Sequence, residues 1–164
     1  SSATTLVLDA DALNAVANDE ALQTQLAQRQ GRSLVTVLTP HPLEAARLLG
    51  CGTAQIMADR LLAAQRIADR FQVVCVLKGS GTVVTAPREI ASINPTGNAA
   101  LSTAGTGDVL AGMVGAALAG PTASPGEVLD RVCSAVFQHG WLADQWNGNG
   151  LVAGELARRV RPMT

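Results

Sequence analysis

The stretch that most limits what this chain can be is Asn94–Gly112, which passes from a turn-rich loop into an apolar helix. Gly105-Thr106-Gly107-Asp108 stands at the junction. Glycines there allow positive φ and let a ligand approach the main chain closely. The helix that follows aims its unpaired N–H groups and the positive end of its dipole back at the loop, so the junction suits an anion. A carboxylate is an odd neighbour for a phosphate that only has to be held. It makes sense where a proton must be taken from a group reacting with that phosphate. The plainer alternative is a first-turn carboxylate contributing a few tenths to about 1 kcal/mol of dipole stabilisation.

Upstream of this junction, short apolar runs alternate with helical patterns. Thr5–Leu8, Leu34–Leu38 and Val73–Leu77 read as buried strands. Between them, Ala12–Gln28 reads as a helix capped by Asp11 or Asn14, and Leu43–Leu49 as a short helix stopped by Gly50. A longer helix, capped by Thr53, runs to about Arg70 with Ile56, Leu61, Ala64, Ile67 and Ala68 near helical spacing. Lys78-Gly79-Ser80-Gly81 then turns the chain into Thr82–Thr85 as a hairpin. The helix after the junction extends to about Ala119, and Pro121–Pro125 is a linker. A helix capped by Ser124 continues to about Trp146 with Val128, Leu129, Val132, Val136, Phe137 and Trp141 on its apolar face, and a short helix ends the chain.

This alternation predicts an α/β fold with a mainly parallel sheet and helices on both faces. Ligands of such sheets gather beyond the carboxyl ends of the strands. Asp9, His41 and Lys78 each follow a predicted strand, which directs all three to one crevice. Prolines on both sides of His41 stiffen its loop and fix the direction of the imidazole. A lysine at a strand end followed by glycines suits an anion, although a glycine-rich hairpin with a solvated lysine has the same letters. It is not a Walker loop, because Gly-x4-Gly-Lys-Ser/Thr occurs nowhere in the chain. Asp9-Ala10-Asp11 resembles the Asp-x-Asp of haloacid-dehalogenase-type phosphatases, but the later acidic companion is missing near Asp108. A loop and helix cap beside the crevice, with Asn14 as polar lining, is the better reading. His139 lies in a helix interior and is read as structural.

Composition removes whole classes of function. Hydrophobic residues make up 48% of 164 and charged ones 15%, which fits a well-buried domain and not a disordered chain. With aromatics at 2%, the core must rest on Val, Leu, Ile and Ala. A net charge of −1 gives no footprint for nucleic acid or an anionic membrane. No apolar run reaches bilayer length, and no signal peptide is apparent. Cys51, Cys75 and Cys133 are far apart and odd in number, as expected of thiols in a reducing cytoplasm and not of a metal or disulfide framework.

Taken together, Leu8–Asn14, Thr39–Arg47, Val76–Val83, Asn94–Gly112 and Gly150–Ala153 resemble, in order and without visible gaps, the ATP- or ADP-dependent NAD(P)H-hydrate dehydratases of the ribokinase-like superfamily. The resemblance implies a three-layer α/β/α sandwich. It implies dehydration of NADHX and NADPHX with ADP or ATP and Mg²⁺, by phosphorylating the ring hydroxyl and losing phosphate. Asp108 would be the catalytic base. Lys78, Gly79, Ser80, Gly81, Thr82, Asn98, Ala104, Gly105, Thr106 and Gly107 would bind the nucleotide. His41, Pro42, Glu44 and Arg47, with Asp108, would border the hydrated dinucleotide. Leu43, where the family has glycine, and Thr106, where it often has Ser or Met, depart from the pattern. The family's complete enzyme is longer, so residues 1–164 are expected to form the C-terminal portion of one ribokinase-like domain. The opening strands would come from a second chain or be missing. A homo-oligomer and an upstream NAD(P)HX epimerase domain are further options that the resemblance brings. A small-molecule kinase of the same superfamily and a non-catalytic nucleotide-binding fragment are the competing readings.

Overall fold

The computed structural model describes residues 3–120, 124–148 and 150–161. Its backbone contacts divide into two compact units, one ending at Ile93 and one starting at Asn94.

The first unit holds a five-stranded sheet in sequential order. Its strands are β1 (Thr5–Leu8), β2 (Val35–Leu38), β3 (Val74–Leu77), β4 (Val83–Thr85) and β5 (Ser92–Ile93). β1, β2 and β3 pair in parallel, with Leu8 opposite Leu38 and Leu38 opposite Cys75, while β4 pairs antiparallel with both β3 and β5. Only β4 therefore runs against the others, and the sheet is mainly parallel. Every residue of β3 is buried, which is why its sequence is continuously apolar instead of alternating.

Five helices follow the strands: α1 (Asp11–Asn18), α2 (Glu20–Gln30), α3 (Pro42–Leu49), α4 (Thr53–Ala58) and α5 (Arg60–Phe71). The two long helices expected here are each broken in two. Apolar spacing carries across both breaks, but an aspartate stands at each. Asp19 adopts extended backbone and accepts hydrogen bonds from the Ala21 and Leu22 amides, starting α2 afresh. Asp59 does the same for α5 through the Leu62 amide at 2.9 Å. Short polar side chains compete with the helix for backbone donors, so they restart helices where periodicity alone would continue them. The expected caps also shift. Asp11 and Asn14 lie inside α1, whose cap position is Ala10, and Gly52, not Thr53, caps α4.

The core of this unit packs Leu13, Val16, Leu38, Leu48, Ile56, Ile67, Phe71 and Leu77, all nearly inaccessible. Full burial of such a side chain contributes about 1.5–3 kcal/mol. Arg29 is buried as well. Its guanidinium donates to the Thr36 hydroxyl at 2.7 Å and to the Ala3 and Val35 carbonyls, tying α2 to the starts of β1 and β2. Cys75 is fully buried, and burial pushes its thiol pKa up. Cys51 and Cys133 are half-buried.

The second unit opens with a 3₁₀ turn over Ala99–Ser102, followed by α6 (Thr106–Ala117), α7 (Pro125–Asp144) and α8 (Ala153–Arg159). Ser124 caps α7 by accepting from the Glu127 amide, and Pro125 takes the first helical position, where no N–H is required. Of the expected linker, residues 121–123 lie outside the described residues. A small core of Leu142, Ala143, Leu151 and Leu156, flanked by Leu101, Val109 and Trp146, joins the helices. Among the described residues no helix is long and apolar enough to cross a membrane.

Candidate nucleotide and substrate site

The candidate residues fall at two loci, one in each unit. In the first unit they sit at the carboxyl ends of three parallel strands. The Thr39 amide donates to the Leu8 carbonyl at 3.1 Å, and the Lys78 amide to the Pro40 carbonyl at 2.8 Å, so the strand exits are stitched together. Across them the Lys78 ammonium lies 2.6 Å from Asp9 Oδ1, with the two side chains only 19% and 12% exposed. The same oxygen accepts from the Ala10 amide at 2.9 Å, and Ala10 holds a φ of 51° that an L residue rarely adopts.

His41 is the N-cap of α3. Its Nδ1 accepts from the Leu43 and Glu44 amides at 3.1 and 3.3 Å, while Glu44 Oε2 accepts from the His41 amide at 2.7 Å. This reciprocal capping box leaves the neutral imidazole proton on Nε2, 3.4 Å from Glu44 Oε1. The ring itself is 46% exposed. Glu44 is buried and committed to the box, so it orients His41. Pro42 occupies the first position of α3. Arg47, on the exposed side, donates to Asn14 Oδ1 at 2.7 Å, and Leu43 is 46% exposed.

The turn Lys78–Thr82 joins β3 to β4. Gly79 has φ +142° and Gly81 φ +63°, conformations that favour glycine. The Thr82 hydroxyl donates to the Gly79 carbonyl at 3.0 Å, closing the turn. From α5, Arg60 donates to the carbonyls of Leu77, Lys78 and Ser80. Burial lowers its pKa from the usual value, but the guanidinium stays charged at any ordinary pH.

In the second unit, Gly105 caps α6 with φ +85°, and a Cβ there would fall 3.0 Å from the Ala153 methyl. Of the first helical amides, that of Thr106 makes a long contact of 3.4 Å to the Thr103 carbonyl. Those of Gly107 and Asp108 have no acceptor among the described residues. Unclaimed amides at a helix start are the kind of donor that suits an anion, and Asp108 stands exposed beside these two. Thr106 is buried. Its hydroxyl lies 2.6 Å from the Leu101 carbonyl and 2.9 Å from that of Thr103, so its single proton serves the framework. Asn98 is likewise committed, accepting from the Ala100 amide and donating to the Ala143 carbonyl and Asp144 Oδ1. Ala104 is exposed immediately before the cap.

Helix α7 holds this loop from behind. His139, read as structural, hydrogen-bonds the Thr106 carbonyl at 2.9 Å, and Asp144 accepts from the Gly97 amide at 2.8 Å. Gly140 lets the loop in, since a Cβ there would fall 2.6 Å from the Thr96 carbonyl carbon. Sequence reasoning passed over Arg60, Gly140 and Asp144. The available signals were an Asp-Arg pair restarting a helix and a glycine in the middle of a long amphipathic one.

The comparisons with known proteins agree with each other. The NAD(P)H-hydrate dehydratase family model matches residues 1–161. An ADP-dependent (S)-NAD(P)H-hydrate dehydratase from Neisseria meningitidis is 42% identical over 158 residues, which is 96% of this chain and 51% of that protein. The chain thus spans about half the length of this curated relative. The ADP/ATP-dependent NAD(P)H-hydrate dehydratase of Bacillus subtilis, co-crystallised with ATP/Mg²⁺, superposes with a TM-score of 0.73 at 34% identity. That match covers 94% of this chain and 52% of the other. A ribokinase-like superfamily protein from Enterococcus faecalis, 24% identical, superposes at 0.71 over 93% of this chain and 49% of its own, and so shares the fold. With a ribokinase-like α/β fold and a family match over nearly its whole length, the chain belongs to the NAD(P)H-hydrate dehydratase family.

Proposed function

We propose that the chain serves the ADP- or ATP-dependent dehydration of NADHX and NADPHX to NADH and NADPH. The observation that carries this reading is the start of α6, where two unclaimed amides face out beside the exposed carboxylate of Asp108. The residues fit an adenine nucleotide. Gly107 and Asp108 offer backbone donors to a phosphate, and Lys78–Thr82 offers a glycine turn with a cation at its root. For Mg²⁺, no trio of His, Cys, Asp or Glu converges among the described residues. A cation would be carried largely by phosphate oxygens and water, as Mg²⁺ usually is.

When bound, the nucleotide would give its terminal phosphoryl group to the ring hydroxyl and leave one phosphate shorter, and the ester so formed would depart as inorganic phosphate as the adjacent ring carbon loses a proton and the double bond is restored. Asp108 takes the proton of that hydroxyl as it attacks. The Gly107 and Asp108 amides stabilise charge on the transferring oxygens, and Gly105 allows the loop to turn into them. Thr106 and Asn98 act by fixing the loop. Lys78 is steered by Asp9, and the half-exposed ring of His41 borders the dinucleotide while Glu44 holds its orientation. Pro42 and Arg47 border the same ligand.

Incubation with NADHX, Mg²⁺ and ATP or ADP tests the proposal, with NADH absorbance and inorganic phosphate read together. One phosphate released per NADH restored is the expected result. A stable phosphorylated product without NADH would mean a kinase for another substrate. Nucleotide binding with neither product would leave a binding module.

A further inference from the structure

We infer that Arg60 is a positioning residue for the nucleotide turn Lys78–Thr82, acting by setting the direction of the Gly79 and Gly81 amides. The inference rests on the proposed nucleotide role of that turn and goes beyond it by naming what shapes the turn. Arg60 is the first helical residue of α5, and its helix start is anchored by Asp59. One terminal nitrogen donates to the Ser80 carbonyl, the other to the Leu77 and Lys78 carbonyls at 3.0 and 3.3 Å.

In a trans peptide the carbonyl of one residue and the N–H of the next point in opposite directions. No peptide bond described here is cis. A carbonyl drawn toward the guanidinium therefore sends the following N–H away from it. For Leu77 the following amide is that of Lys78, and it does find the Pro40 carbonyl on the other side. For Lys78 and Ser80 the following amides belong to Gly79 and Gly81. Neither has an acceptor among the described residues. Two outward amides flanking a serine, rooted on a lysine, form a concavity for an anion.

Gly79 is part of the same device. A Cβ there would fall 2.9 Å from Arg60 Nη2 and displace the guanidinium from its place, and the φ of +142° itself favours glycine. Among the described residues Arg60 Nε is buried without a hydrogen-bond partner, so the hydrogen bonds of the side chain are those of its two terminal nitrogens. Lysine would keep the charge, but a single ammonium cannot reproduce the planar fork that serves separated carbonyls.

Arg60→Ala and Arg60→Lys, made in the full chain, test this with two readouts. Titration calorimetry with ATP and with ADP gives affinity, and amide NMR relaxation gives the order of Gly79 and Gly81. Both substitutions are expected to weaken nucleotide binding by about tenfold to a hundredfold, the cost of ordering the turn on binding. The order parameters of the two glycines should fall from about 0.85 toward 0.6. Methylguanidinium added to the alanine variant should recover part of the affinity. Unchanged order and affinity in Arg60→Ala, or full recovery by Arg60→Lys, would overturn the positioning role. If the alanine variant does not fold, the lysine variant decides by the same readouts. An ordered turn in the wild type that binds neither nucleotide would instead overturn the nucleotide reading, and this inference with it.

Discussion

The two candidate loops are held in different ways. The Lys78–Thr82 turn is closed by the Thr82 hydroxyl and braced from a neighbouring helix by one charged side chain, Arg60, reaching three carbonyls. The loop before α6 depends on many small contacts spread along α7: His139 on the Thr106 carbonyl, Asp144 on the Gly97 amide, and Asn98 bridging to Ala143 and Asp144. One loop can be released by a single polar substitution. The other should tolerate the loss of any one hydrogen bond, yet it fails where volume is added, because Thr96 sits directly against Gly140.

The largest effect in the second loop should accordingly come from the smallest group. Gly140→Ala forces a methyl onto the Thr96 backbone and is expected to cost about 1–3 kcal/mol, read as a lower urea midpoint with unchanged slope. Asn98→Asp comes next. It sets a carboxylate beside Asp144, where an amide nitrogen now lies 3.1 Å from Oδ1. It should be more destabilising than Asn98→Ala, by about 1 kcal/mol at low salt, and the difference should shrink in 1 M salt. Thr106→Val removes one framework hydrogen bond for about 1 kcal/mol, with the melting temperature as the measure. At the small end, Gly126→Ala on the same helix as Gly140 meets nothing closer than 3.9 Å. It should stabilise by about 0.5 kcal/mol, and a destabilisation there would mean that α7 is intolerant along its length.

Much of this was legible in the sequence because local signals and burial pointed the same way. β3 was announced by the apolar run Val73–Leu77, one residue longer than the strand, the hairpin by Lys78–Gly81, and the cap of α7 by Ser124. The helix breaks at Asp19 and Asp59 were hidden because apolar periodicity crosses them, and a cap is one residue against a pattern of many. The His41-Glu44 capping box was present as a spacing, but prolines around the histidine drew attention to ligands instead. The Asp59-Arg60 pair signals a helix restart, but nothing beside Arg60 in the sequence tells where its guanidinium goes. Its partners stand 17 to 20 residues away, and only the folded hairpin brings them within reach.

The central claim is that the start of α6 carries proton-abstracting chemistry on a nucleotide phosphate, and Asp108→Asn tests it most directly. Asparagine keeps the shape of the site and the outward amides while removing the base. The variant should bind ATP within about threefold of wild type yet lose at least about a hundredfold of ATP-dependent NADH recovery from NADHX, the usual scale for a positioned general base. Recovery at the wild-type rate in the variant would contradict the account.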